Sequence, residues 1–420
     1  MSDATVETKN DTPMRDTILA GLANYIDSGS IVSGAVALAL WKDLYGLSDN
    51  FIGLIAAFSA NAISAGVGAF IGGWLCDKVG RKKIYQYDML FYAFGMLFLI
   101  FASSAWMIIV GFVLVGLAVG ADIPASWSLI AEQAPDDKRG AHSGVAQMLW
   151  NLGPVVVLGA AYFLKPFGID GVRWLFIHLA VIALALTFLR SKMHESHRWE
   201  ASKAKQEAGD VVSSWAELFS PMHLKAMLYL IVMYGFWNLW AGYSGFFLPY
   251  LIKQNNLPVW AETVIPAANF LLVVLSLFFI FMPRVDRVNQ RTMFGISAVL
   301  LVVGMALLAI FGFTLLTISI HIVIMAVASG FGAQSFFQLW SSELFPTAIR
   351  ARAQGMSFAV VRIGLGIWSL AVPALASNNF TTLAWILTGF LVVSGAVGWL
   401  FAPRNEGKSL EEIEAERAIV

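Results

Sequence analysis

The sequence predicts an all-α membrane protein of twelve transmembrane helices, built as two six-helix halves related by a pseudo-twofold repeat. Three observations carry that prediction. Hydrophobic residues make up 58% of the 420-residue chain and charged residues only 13%, far from the balance of a water-soluble domain. The apolar residues gather in twelve runs of about 20 residues, the length a helix needs to cross a bilayer. Short charged motifs between the runs recur in the second half at a nearly fixed offset.

In order, the runs span 15–41, 50–74, 84–103, 106–131, 141–164, 173–191, 224–252, 260–282, 292–313, 315–341, 353–376 and 381–402. The turn after the second run, GGWLCDKVGRKK, packs Lys78, Arg81, Lys82 and Lys83 around one acid and three glycines. Basic residues concentrate on the cytoplasmic side of membrane proteins, so this turn sets the orientation of every later run. Of the 27 Lys plus Arg, only Lys42, Lys165, Arg173 and Lys253 then fall on the outer side, and Arg362 lies inside a run. The expected division is a cytoplasmic tail at 1–14, a first half at 15–191, a cytoplasmic linker at 192–223, a second half at 224–402 and a second cytoplasmic tail at 403–420. The linker is polar and partly helical, with Lys203, Lys205, Glu207 and Asp210 among its charges.

Composition also excludes function classes. A net charge of +0 gives no reason to expect a nucleic-acid partner, and Cys76, the one cysteine, rules out an internal disulfide or a cysteine-built metal site. No metal or cofactor is expected, and the chain is expected to work as a monomer. His178 and His321 have no metal-ligand partner at useful spacing and are read as packing residues. The first thirteen residues lack the charged, apolar and cleavage regions of a signal peptide, which makes the first run its own insertion signal. Neither a nucleotide-binding loop nor a spaced nucleophile, base and orienting group is present, so the chain reads as neither a primary pump nor an enzyme.

The repeat is specific. Asp77 with Lys78 recurs as Asp286 with Arg287, 209 residues later, while Glu132 and Arg139 recur as Glu343 and Arg350, each 211 residues later. Glu195 recurs as Glu406 at that same offset of 211. Parallel repeats of this kind are a transporter architecture, with two halves rocking about a central site. Each acid can meet a base from its own or a neighbouring loop, which makes Asp77, Arg81, Glu132, Arg139, Glu195, Arg198, Asp286, Arg287, Glu343 and Arg350 the candidate cytoplasmic gate. As partly exposed pairs they are expected to contribute only about 0 to 1 kcal/mol each, which suits a latch that must break repeatedly.

Gly73, Asp77, Gly80, Arg81, Lys82 and Lys83 in this spacing resemble the signature loop of the major facilitator superfamily. Glu195, Arg198 and Trp199 in ESHRW resemble the P-E-S-P-R-W motif of its sugar porters, with His197 in place of the second proline. Glu343, Pro346 and Arg350, and the tail GKSLEEIE at Gly407 to Glu414, resemble that family too. The resemblance implies alternating access in a cell membrane, the cytoplasmic membrane of a bacterium, with both termini inside.

Charges within the runs are expensive in hydrocarbon and mark ion or substrate pathways. Asp27, Asp122 and Arg362 are placed near the midplane. Asp27, in NYIDSGSIVSG, is a candidate for carrying a proton or else caps a local helix break at Ser28, Gly29 and Ser30. Its segment resembles the first-span D-T-G-V-I of sugar porters, where this aspartate is found in proton-coupled members; the arginine that partners it there falls at Phe112 here. Asp122, beside Pro124, is a second proton-coupling candidate, with a substrate hydroxyl or a neighbouring helix as other partners. Arg362 needs a buried anion, which Asp27, Asp122 or a bound substrate supplies. It resembles the arginine of organic-acid symporters, and sugar porters have none there.

Gln147 matches the fifth-span glutamine that sugar porters use on substrate hydroxyls, and Gln334 and Gln338, four residues apart, point along one helical face, toward a substrate or into hydrogen bonds between helices. With Asn151, Trp237, Asn238, Tyr243 and Arg362 they form the candidate substrate site; Trp240 and Trp150 are read as able to face the same space. Gly116 with Gly120 and Gly364 with Gly366 are expected to allow close helix contact. The reading is a secondary transporter taking up a small hydroxylated metabolite, a sugar, polyol or sugar acid, with protons. An organic carboxylate such as an aromatic acid is the alternative substrate; a drug exporter or a membrane sensor without transport comes behind both.

Overall fold

A backbone in hydrocarbon must satisfy its own N–H and C=O groups, and each crossing of this multi-pass membrane protein is helical. The computed structural model describes residues 13–58, 62–209, 214–244, 248, 251–252, 255 and 257–418. Most of the expected tail at 1–14, Asp210 of the linker and Lys253 lie outside the described residues, as does much of the expected seventh run beyond Ser244.

The first half holds α1 (Pro13–Tyr45), α2 (Asp49–Ala57) and α3 (Ile63–Val79) along the second run, α4 (Arg81–Ile100), α5 (Ala105–Gln133), α6 (Arg139–Leu164) and α7 (Gly168–Arg190). Between the halves lie α8 (His197–Glu207) and the single turn α9 (Trp215–Leu218). The second half holds α10 (Pro221–Gly242), α11 (Ala261–Arg284), α12 (Gln290–Phe311), α13 (Leu315–Gly330) and α14 (Ala333–Glu343) along the tenth run, α15 (Arg350–Asn378) and α16 (Phe380–Leu400). A terminal helix, α17 (Leu410–Ala418), follows. Among the described residues these helices make twelve crossings.

Start and stop signals account for most boundaries. Pro13 and Pro221 open helices where a missing N–H costs nothing. Gly80, at φ 102, makes the turn from α3 to α4 in a backbone region that side chains avoid, and a Cβ there would also meet the Glu195 carboxylate. α11 carries a π-helical turn at Leu277–Phe281, and the tenth crossing breaks at Phe331 and Gly332. α1 runs unbroken through Ser28, Gly29 and Ser30, so the helix break considered for Asp27 does not occur. The Ser28 hydroxyl instead lies within 3.0 and 3.1 Å of the carbonyls of Asn24 and Tyr25 in its own helix.

The halves meet chiefly along two helix pairs, α3 with α15 and α6 with α11. At the first contact Gly73 and Gly355 face one another, and a Cβ on either would run into the backbone of Ala351 or Ala69. Gly120 likewise lets α5 press on α3 at Ala65, whereas Gly364 has open space around it and does not mediate a helix contact.

Candidate functional site

The helices leave a central cleft between the halves, with about 930 Å³ of free space counting what is open to solvent. Side-chain amides dominate its polar wall. Gln147 and Asn151 come from α6, Asn238 from α10, Asn269 from α11 and Gln334 from α14. The indoles of Trp150, Trp237 and Trp240 and the ring of Phe270 supply the apolar wall, and Arg362 of α15 lines the cleft as well. Its Nη1 donates to Asn238 Oδ1 at 3.4 Å, and its guanidinium lies 4.5 Å over the Phe358 ring.

Three amides bridge the halves at the floor. Gln334 Nε2 donates to Gln147 Oε1 at 2.9 Å, and Gln147 Nε2 donates in turn to Gln338 Oε1. Gln338 therefore sits behind Gln147 rather than in the cleft wall. Tyr243, expected at the site, is buried in the core and does not line the cleft. Asn269, Ser329 and Ser335 line it without having been singled out; Asn269, a lone amide in the apolar run AANFLLVV, was the legible one.

Asp27 is buried beside the cleft, and its Oδ2 accepts a hydrogen bond from Trp150 Nε1 at 3.1 Å. Phe112 of α5 packs edge-on against Trp41 of α1, at 6.0 Å between rings. Asp122 lies elsewhere. It pairs with Arg190 of α7 at 2.6 Å, with Asp88 of α4 at 3.9 Å from the same nitrogen, and it does not line the cleft. Of the three anions considered for Arg362, Asp122 is thus taken up by Arg190 instead. Arg190, at the end of α7, reaches Asp122 while also donating to the carbonyls of Leu19 and Ala20.

Below the floor toward the charged end, two further layers close the cleft. Trp127 of the first half meets Phe337 and Phe358 of the second edge-on, and Tyr234 stacks on Phe337 at 4.0 Å. Ser128 donates across the halves to Gln354 Oε1 at 2.8 Å. The charged motifs form the outermost layer. Glu132 Oε1 accepts from Arg81 of its own half and from Arg350 of the other, each at 2.8 Å. Arg139 pairs with Glu343 across the halves at 3.0 Å.

The repeated acids work as helix caps, because the first N–H groups of a helix have no partner within it. Both Asp77 oxygens accept from Ala351 N and Arg352 N at the start of α15, and both Asp286 oxygens accept from Gly140 N and Ala141 N at the start of α6. Each aspartate thus caps a helix of the opposite half. Glu195 caps α4 at Arg81 N and Lys82 N, and Glu406 caps α12 at Gln290 N. Asp77 lies past the end of its apolar run, and burial lifts its carboxyl to about 6 against the opposing pull of Arg81. Burial also raises Asp286, in the turn after α11.

Two expectations about these motifs need correction. The central pairs are not partly exposed, for Arg81, Glu132, Arg139, Glu343 and Arg350 side chains are at most 3% accessible once the halves close over them. Arg287 is exposed and joins no ion pair among the described residues. Arg198, a quarter accessible, bridges Asp136 and Glu411 of α17.

The sequence matches two family profiles, one described as Major Facilitator Superfamily over residues 17–284 and one as Sugar (and other) transporter over residues 200–416. It is 44% identical over 410 residues to the minor myo-inositol transporter IolF of Bacillus subtilis, across 95% of this chain and 93% of that protein. It is 26% identical to the glucose transporter GlcP of Staphylococcus epidermidis, across 95% of each. Its fold is similar to that of the proton:xylose symporter XylE bound to 6-bromo-6-deoxy-D-glucose, with a TM-score of 0.81 at 18% identity, covering 96% of this chain and 98% of that one. Similarity to the inward-open conformation of XylE from E. coli is lower, at a TM-score of 0.67 and 20% identity over the same shares of each chain.

Proposed function

The chain belongs to the major facilitator superfamily, and from that premise we propose that it imports a cyclic polyol, myo-inositol or a close relative, together with protons. The observation that carries the reading is the cleft wall of five amides and three indoles. Amides offer both donors and acceptors to a ring of hydroxyls, and indole faces suit the C–H surface of such a ring. The relative at 44% identity is by its name a myo-inositol transporter, which fits the same chemistry.

The charged end is the cytoplasmic end on this reading, because Lys and Arg concentrate there, and both termini lie inside. A monomer in the cytoplasmic membrane then alternates between outward and inward openings. The layers at the floor, the aromatic plug and the buried ion pairs belong to the state closed toward the cytoplasm. Asp27 is the proton-coupling carboxyl, since it is buried within one side chain of the cleft.

The test is counterflow of labelled myo-inositol in proteoliposomes, with uptake driven by an imposed proton gradient. Exchange accelerated by internal myo-inositol, with accumulation abolished when the gradient is collapsed, is expected; absence of exchange sinks the reading. One observation favours a second reading: Arg362 in the wall could clamp an organic carboxylate. Arg362→Gln separates the two, because a clamp predicts loss of acid binding, whereas the polyol reading predicts polyol binding retained by the variant.

A further inference from the structure

The substrate cleft and Asp27 meet at one side chain. Trp150 is partly exposed and lines the cleft, while its Nε1–H is donated to Asp27 Oδ2 at 3.1 Å. Its turn of α6 is fastened to α1, because the Ser28 hydroxyl donates to the Trp150 carbonyl. The other Asp27 oxygen, Oδ1, is buried with no hydrogen-bond partner among the described residues. From α5 it is the ring of Phe112, rather than a charged group, that presses on α1 at Gly34 and Trp41.

We propose that Trp150 is the positioning residue that links substrate to proton, through competition between a substrate hydroxyl oxygen and Asp27 for its one indole N–H. The proposal rests on the reading of Asp27 as the coupling carboxyl. With the cleft empty, the indole donor favours ionised Asp27, as any donor to a carboxylate does. A polyol oxygen that takes this N–H leaves a buried carboxylate without its donor, which disfavours the charge. Asp27 then accepts a proton from cleft water at a carboxyl oxygen, and no bond forms between protein and substrate. When the substrate leaves, the N–H returns to Asp27 and the proton departs. Substrate and proton thus strengthen each other's binding by the same factor, as symport requires.

Other groups bear on Asp27: Asp122 from α5, Arg362 from α15, Tyr92 from α4 and Tyr234 from α10, with His178 of α7 behind Tyr25 of α1. All of them are kept in the variants that test the proposal, so a change in titration is assignable to the indole donor.

The experiment measures myo-inositol uptake in proteoliposomes from mildly acidic to mildly alkaline pH, and proton uptake when myo-inositol binds the solubilised protein. Trp150→Phe keeps a ring in the wall and removes the donor; Trp150→Gln loses the ring and keeps an N–H. In Trp150→Phe the alkaline limb of uptake is expected to move up by about one pH unit, with binding-linked proton uptake reduced several-fold. Trp150→Gln should bring the limb back toward the wild-type position although its KM rises. Slower transport in both variants with the limb unmoved overturns the proposal. So does wild-type protein that binds myo-inositol without taking up protons, a result that needs no variant to fold. Asp27→Asn separates the two layers of argument. If that variant still moves protons with myo-inositol, Asp27 is not the coupling group and both readings fall. If it loses proton movement but keeps counterflow while Trp150→Phe titrates like the wild type, only the role of Trp150 falls.

Discussion

At the scale of single residues, buried charge decides what can be changed. Arg190 faces Asp122 and Asp88 with all three side chains at most 2% accessible, so removing the cation leaves two carboxylates in a dry site. Breaking a buried pair in this way costs about 3 to 5 kcal/mol. Arg190→Gln should lower the unfolding temperature in detergent sharply, and adding Asp88→Asn and Asp122→Asn should restore most of the loss. A single variant as stable as the wild type would show that the cluster carries no net interaction. Asp77 supplies a pH dependence. Its carboxyl sits near 6 in the closed end, above the 3.8 of an unburied aspartate, so the closed end binds the proton more tightly than an open one. Acidification through pH 6 therefore favours closure and a rise in pH releases it, by roughly tenfold between pH 7 and pH 5. Asp286, raised by burial as well, adds in the same direction.

At the scale of helices, the contact between α3 and α15 depends on two residues without side chains. Gly355→Val would drive its branched side chain into the Ala69 carbonyl and Gly73, so the closed charged end is expected to open. Spin labels on exposed Lys83 and Arg287, in a Cys76→Ser background, measure that opening. The distance between them should lengthen in the variant, and an unchanged distribution would show that the helices can slide past the added methyls. Linker and tail join this layer from outside. Trp215 of α9 stacks on Phe70 of α3 at 5.5 Å and lies 5.0 Å under Arg352 of α15, and Arg198 of α8 holds Glu411 of α17. Short elements outside the bilayer thus touch both halves where they separate.

At the scale of the whole molecule, each half is packed within itself, and the contact of α3 with α15 between the halves is as extensive as the packing inside them. Helix pairs such as α1 with α6 and α12 with α16 stay inside one half, while α3 with α15 and α6 with α11 join the two. A ligand that binds between the halves stabilises them together. At 100 times its dissociation constant myo-inositol should stabilise the folded protein by about 2.7 kcal/mol. The expected result is a raised unfolding temperature with myo-inositol and none with an aromatic acid; the reverse would favour the carboxylate reading.

By itself the sequence determined the class of fold, because bilayer thickness and backbone hydrogen bonding leave few solutions for twelve apolar runs. Most helix limits fall within a few residues of those runs, since charge and glycine mark the boundaries locally. Gln147, Asn151, Asn238 and Gln334 were legible because an amide in an apolar run is costly wherever it points. Tertiary structure decided which polar groups meet. Asp122 finds Arg190, far along the chain, and Asp27 takes its hydrogen bond from Trp150. It also decided burial: the ion pairs read as partly exposed latches become buried where the two halves close over them. Neither fact is local, because each depends on the packing angle of helices whose lipid-facing and inward-facing sides are almost equally apolar.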